Sequence, residues 1–326
     1  LELDGSSTSI HINTSIGIAV GDRATSGELL RDADIALYQA KAKGKNRFEF
    51  FHPEMQTDIG RRIRLEFDLR SALAGQEFRL MYQPIYSLDA LEVVGVEALL
   101  RWDHPADGLL APDEFIPILE KTGQIREVGA WVLHQACAQM AQWHAQGFTL
   151  NISVNVSGRQ LDDDKLVEQI SHALQATGLP PNYLTIEVTE TALMRDTESA
   201  VRRLRAIKSL AASVAVDDFG TGFSSLAYLQ QFPVDCSKID TSFTSAMVGS
   251  AESAAFIRTF VQLGKDLGLT TLAEGVETAD EMNMLRADHV DEAQGYLFAR
   301  PLELEAFESR LLSRSQYANT APTLDS

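Results

Sequence analysis

Ser213-Val214-Ala215-Val216-Asp217-Asp218-Phe219-Gly220-Thr221-Gly222 decides the fold. The four residues from Ser213 to Val216 are small or β-branched and read as a buried strand. Two adjacent carboxylates end it, and a Gly-x-Gly turn follows. Carboxylates at the mouth of an apolar core repel each other and lose hydration, so a positive partner is required there. A divalent metal ion is the natural candidate. A single aspartate is equally well explained as the N-cap of the next helix; a pair closing a strand is not.

Outward from this stretch the chain alternates strand and helix. Strands are expected near 79–86, 93–101, 150–156, 184–189, 213–217, 236–239, 270–274 and 292–297, with helices notably at 126–146, 163–176, 197–212, 253–267 and 279–287. This pattern predicts an α/β fold, a (β/α)8 TIM-like barrel, with an open doubly wound sheet as the alternative. Seven successive strands each carry a polar residue out of keeping with an apolar core. They are Glu97 with Arg101, Asn155, Glu187 with Glu190 just beyond, Asp217 with Asp218, Lys238, Glu274 and Gln294. Singly each has an ordinary explanation. Together, in a barrel, they can converge at the C-terminal mouth.

The donors Glu97, Asn155, Glu187, Asp217 and Asp218 offer oxygen only, and the seven histidines show no zinc-site spacing. Such a set suits Mg²⁺ or Mn²⁺, and a carboxylate flanked by others suits a two-metal site acting on a phosphodiester. Lys238 could orient the attacking water. Gly220-Thr221-Gly222 lacks the rest of a dinucleotide fingerprint and reads as a mobile turn.

The chain has 326 residues, is 45% hydrophobic and carries a net charge of −18. No basic stripe is present, which disfavours DNA or RNA as partner. Two cysteines, Cys137 and Cys236, make neither a disulfide framework nor a metal pattern, consistent with a cytoplasmic setting. The first residue is Leu, so upstream sensory or membrane domains are expected to be missing from the chain, and tethering to the inner membrane stays open. Residues 9–20 alternate as a strand, Thr25 with Glu28 forms a capping box before a helix that Gly44 stops, and Phe48, Phe50 and Phe51 suggest a closing strand. Residues 53–75 read as a connecting helix with Ile59, Ile63, Phe67 and Leu73 as its apolar positions, and 314–326 as a disordered tail.

Glu97-Ala98-Leu99-Leu100-Arg101, Tyr82-Gln83-Pro84, Ser153-Val154-Asn155-Val156-Ser157, Glu187-Val188-Thr189-Glu190, Asp217 to Gly222, Lys238-Ile239-Asp240, Ala273-Glu274-Gly275-Val276-Glu277 and Gln294-Gly295-Tyr296 together resemble the EAL domain, the bacterial phosphodiesterases of cyclic di-GMP. The resemblance covers about 75–312, placing the domain at 76–313. It implies a barrel whose first strand runs antiparallel to the rest. It implies metal binding by Glu97, Asn155, Glu187 and Asp217, with Asp218 joining Asp217 at a second ion. Glu274 and Lys238 would hold the attacking water, Gln294 would complete the site, and Gln83 and Arg101 would contact the dinucleotide. Glu190 would anchor loop 218–225, which in this family couples the site to the dimer interface, so a homodimer is expected. The implied product is linear pGpG, with Ca²⁺ inhibiting. The rival is a non-catalytic cyclic di-GMP receptor; a glycosidase would leave Asn155 and Lys238 without roles. Residues 14–51 resemble the end of a GGDEF (diguanylate cyclase) domain without its naming motif, which places a fragment of one at 1–52 with no cyclase activity expected.

Overall fold

A computed structural model describes residues 13–21, 25–42, 46–220 and 231–320. The chain divides into two compact units, Leu1–Ser71 and Ala72–Ser326. In the first, strands β1 (Ile16–Ile18) and β2 (Phe48–Phe50) pair in parallel, with helix α1 (Ser26–Ala42) between them in the chain. Gly17 lets the strand lie directly on α1, since a Cβ there would collide with the backbone of Ala33 and Leu37. Thr25 caps α1, its hydroxyl accepting from Glu28 N at 3.2 Å. Of the expected strand over 9–20, residues 9–12 lie outside the described residues, as does Gly44.

Helix α2 (Pro53–Ala72) corrects one expectation. Ile63 and Phe67 are 65% and 68% exposed, whereas Leu65, Leu69 and Ala72 are buried. Leu65 and Leu69 each lie two residues beyond Ile63 and Phe67, which turns the buried stripe about 200° around the helix.

The second unit is a closed barrel. Strands β3 (Phe78–Ser87), β4 (Val93–His104), β6 (Asn151–Asn155), β7 (Leu184–Thr189), β8 (Ser213–Phe219), β9 (Cys236–Ile239), β10 (Thr270–Ala273) and β11 (Glu292–Ala293) form one ring, while the short β5 (Gly108–Leu110) hangs on β4. β3 pairs antiparallel with both β4 and β11, and the other neighbours in the ring are parallel. Ile152, Val154, Leu184, Ile186, Val188, Val214 and Val216 are buried on alternate positions of three strands, which leaves the intervening polar residues to face the barrel axis.

Three further differences have local causes. Helix α3 (Pro112–Thr122) follows β5; Pro117 inside it masks the helical pattern, although Pro112 at its start and Gly123 in the left-handed region at its end (φ 83°) are ordinary boundaries. The eighth strand ends at Ala293, before Gly295, where a Cβ would run into the Val276 backbone. The last helix, Leu304–Thr320, continues past 314 into the stretch expected to be disordered; no Gly or Pro interrupts it before Pro322. Between these elements run α4 (Ile125–Ala145), α5 (Gly158–Leu161), α6 (Leu166–Thr177), α7 (Glu190–Met194), α8 (Thr197–Ser209), α9 (Thr241–Ala246), α10 (Ala251–Leu267) and α11 (Ala279–Ala287).

Candidate active site

Register brings the polar residues together. Gln83 lies opposite Glu97, Asn155 beside Glu187, and Asp217 beside Thr189. Lys238, on β9, is 1% exposed and sits among four carboxylates. Its Nζ lies 2.7 Å from Glu187, 2.7 Å from Glu274, 3.4 Å from Asp217 and 3.8 Å from Glu97. Asn155 donates its amide to Glu97 at 2.6 Å. Gln294 donates to Glu97 at 2.8 Å and to Glu274 at 3.0 Å. Seven residues from seven places in the chain thus form one network of hydrogen bonds and ion pairs.

Asp218 joins by a different route. Adjacent residues of a regular strand point to opposite faces. Here the β8–β9 register slips between Val216 and Phe219, and Asp218 adopts φ 55°. Asp217, Asp218 and Glu274 therefore present carboxylate oxygens all within 4.8 Å of one another, an arrangement that could hold a metal ion. A non-glycine residue in the left-handed region costs about 1–2 kcal/mol, and asparagine tolerates it as aspartate does. Asp218→Asn is expected to leave the melting temperature in chelator unchanged or raised, because repulsion is relieved, while lowering turnover by about 10- to 100-fold. Wild-type turnover would remove Asp218 from the site.

The network is short of positive charge. Burial first, and then the neighbouring acids, push Glu187 up to about 8 and Glu274 up to about 7 against the opposing pull of Lys238. Burial, Asp217 and Asp240 likewise raise Asp218. Burial alone would lower the Lys238 ammonium, but Glu187, Glu274, Glu97 and Asp217 outweigh it and hold it well above its ordinary value. Oε1 of Gln294 is buried with no hydrogen-bond donor among the described residues. Five carboxylates around one ammonium, all with oxygen donors, fit hard divalent cations.

The remaining expected residues lie close by without joining the network. Gln83 is buried and donates to Ala299 O at 3.1 Å. Arg101 donates to Leu100 O at 2.8 Å; burial lowers its guanidinium, while Asp113, Tyr296 and Glu97 raise it. Glu190, at the start of α7 and 5% exposed, accepts from Gly220 N at 3.1 Å. Of the loop 218–225 that Glu190 is expected to anchor, residues from Thr221 onward lie outside the described residues. One feature escaped the sequence reading. A cavity of about 650 Å³ adjoins the acids, lined by Leu100, Pro112, Asp113, Ile116, Asn155 and Asp218 among others. One of its walls is α3, whose Pro112-Asp113 start was the available signal; α4 and the start of α5 supply others.

A TIM-like barrel with an acidic network centred on a lysine defines the class. A family model described as the EAL domain matches residues 66–301, and the chain belongs to that family. Residues 2–47 match the model of the diguanylate cyclase GGDEF domain. Among curated proteins the chain is 38% identical over 327 residues to the cyclic di-GMP phosphodiesterase NbdA of Pseudomonas aeruginosa, covering 100% of this chain and 42% of that protein. It is 40% identical over 299 residues to the bifunctional diguanylate cyclase/cyclic di-GMP phosphodiesterase MucR of the same organism, covering 91% of this chain and 44% of that protein. The chain thus spans about two fifths of the length of these relatives. Among solved structures it resembles the PaMucR phosphodiesterase in complex with c-di-GMP, with a TM-score of 0.73, 40% identity, and coverage of 75% of this chain and 99% of that one.

Proposed function

We propose that the chain hydrolyses cyclic di-GMP to linear 5′-pGpG at the barrel mouth. The observation that carries this reading is Lys238 held among Glu97, Glu187, Asp217 and Glu274 with Asn155 and Gln294 hydrogen-bonded into the same network. The names of NbdA and MucR and the c-di-GMP complex of PaMucR support it. Glu97, Asn155, Glu187 and Asp217 would hold one Mg²⁺ or Mn²⁺, and Asp217 with Asp218 a second. When bound, such ions neutralise phosphoryl charge and make water nucleophilic at neutral pH.

The chain's own groups do the rest. Glu274, 2.7 Å from Lys238, receives the proton of the attacking water, and Lys238 orients that water. Gln294 fixes both Glu274 and Glu97 through its amide. Gln83 and Arg101 contact the dinucleotide, and the cavity beside Asp218 takes part of it. Glu190 holds the chain at Gly220, next to Asp218 and the following loop. The domain layout proposed is a GGDEF fragment over 1–52, a connecting helix to 75, and the phosphodiesterase barrel from 76. Homodimerisation, a cytoplasmic site of action and the absence of a nucleic-acid partner belong to the same proposal. Among the described residues no helix is long and apolar enough to cross a membrane.

The test is an assay of cyclic di-GMP loss in Mg²⁺, Mn²⁺, Ca²⁺ and excess EDTA. Turnover is expected with the first two only. Ca²⁺ should inhibit, because it prefers more ligands and looser geometry and would misplace the water. Unchanged turnover after verified metal removal sinks the reading.

A further inference from the structure

At the barrel end opposite the acids, a second cavity of about 770 Å³ opens where β3 ends and β10 and β11 begin. Ser87, Thr270 and Glu292, all half-buried, line it, and its exposed rim carries Lys265 and Arg286, from the ends of α10 and α11, and His289 just past α11, together with Asp89 and Asp291. The size suits a small-molecule site. No hydrogen bond or ion pair joins the side chains of Glu292, Lys265, Arg286 or His289 to another described residue. Burial, then neighbouring Asp291, push the Glu292 carboxyl up to about 7, so no cation compensates it. The cavity's other acids differ: Asp291 accepts from Thr271 N and Oγ1 at 2.8 and 2.7 Å, and Asp89 is exposed. The cavity thus holds one unpartnered, half-buried carboxylate, Glu292, and three unpartnered basic groups outside it.

That pairing selects a ligand. A carboxylate's two oxygens match a flat edge with two adjacent N–H donors, and three basic groups match a phosphate. A guanidinium compound such as free arginine offers the first but not the second. Guanine nucleotides offer both, through N1–H with the 2-amino group and through phosphate. Adenine presents a lone pair at N1 and would repel the carboxylate.

The site also has a route to the mouth. Glu292 lines a smaller cavity of about 130 Å³ within the barrel, whose lining includes Glu187. Two residues after Glu292, Gln294 holds Glu97 and Glu274, and only Ala293 lies between. A ligand that pulls on Glu292 pulls on this short strand.

We propose that this cavity is a second binding site, for a guanine mononucleotide, and that its occupancy alters the network through Glu292-Ala293-Gln294. Binding stands apart from the hydrolase reading; the effect on turnover rests on it. The test is calorimetric titration of the full chain in EDTA with GMP, AMP and inorganic phosphate, alongside hydrolysis assays with and without GMP. GMP is expected to bind at least about tenfold more tightly than AMP, since a site built for a hydrogen-bonded edge rejects its mismatch. Arg286→Ala, on the exposed rim, should weaken GMP at least about tenfold while leaving GMP-free hydrolysis unchanged. Glu292→Gln should erase the difference between GMP and AMP. Saturating GMP should shift KM or kcat of the wild type but not of Arg286→Ala. No GMP binding, equal affinity for GMP and AMP, or binding lost in Lys238→Ala but kept in Arg286→Ala overturns the proposal; the last places the nucleotide at the mouth. Intact GMP binding without any cyclic di-GMP hydrolysis overturns the hydrolase reading alone.

Discussion

Lys238→Ala is expected to lower cyclic di-GMP hydrolysis on the order of 1,000-fold, the scale of removing a well-placed electrostatic group from a dry site. Its ammonium is the only cation within 4 Å of Glu97, Glu187, Asp217 and Glu274 among the described residues. Alanine removes both the group proposed to orient the water and the charge that lets these acids lie so close. Breaking a buried pair from one side costs roughly 3–5 kcal/mol, so the variant should melt earlier in chelator. Added Mg²⁺ should restore part of that loss, because the ion supplies the missing charge. Cyclic di-GMP binding in the presence of metal should be largely kept, since the lysine's proposed partner is water. Hydrolysis near the wild-type rate would show that Lys238 is only a structural counter-ion.

Glu190 tests a different part of the account. Its carboxylate accepts from Gly220 N at 3.1 Å, two residues after Asp218. A charge-assisted bond of this kind contributes roughly 1.5–3 kcal/mol. Gly220 is in the left-handed region (φ 95°), so a side chain cannot stiffen this turn from within. Glu190→Ala is therefore expected to lower turnover by about ten- to a hundredfold, with weaker metal dependence, perturbed dimerisation and a near-normal melting temperature. Glu190→Gln keeps an acceptor oxygen at the same place and should retain most activity. Equal losses in both variants would mean that the charge, rather than the hydrogen bond, matters; a collapse of folding in both would make Glu190 structural.

Much of this site follows from period-two reading of the strands. Glu97, Asn155 and Glu187 each sit between two apolar neighbours, Asp217 follows Val216 and Lys238 precedes Ile239, and parallel register then brings them to one end. Asp218 could not be placed that way. Its side chain reaches the site only because of the β8–β9 slip and its left-handed backbone, neither of which leaves a periodic trace. The direction of β3 was likewise invisible to pattern, since an antiparallel strand alternates as a parallel one does; the family resemblance alone implied it, and the ring bears it out. Pro117 hid the helix that walls the cavity beside the acids. On α2, Ile63 and Phe67 are as apolar as Leu65 and Leu69, and composition could not say which stripe is buried. Glu292 stood unremarked because a lone glutamate before Ala293 and Gln294 reads as a solvated strand end, and only the cavities on either side of it show otherwise.

The most direct test of the central claim is mass analysis of the product formed from cyclic di-GMP with Mg²⁺ in ¹⁸O-enriched water. The account predicts linear pGpG as first product, carrying one ¹⁸O on its terminal phosphate, because a single phosphodiester is opened by water. Unconsumed cyclic di-GMP, or GMP appearing without a pGpG intermediate, would contradict it.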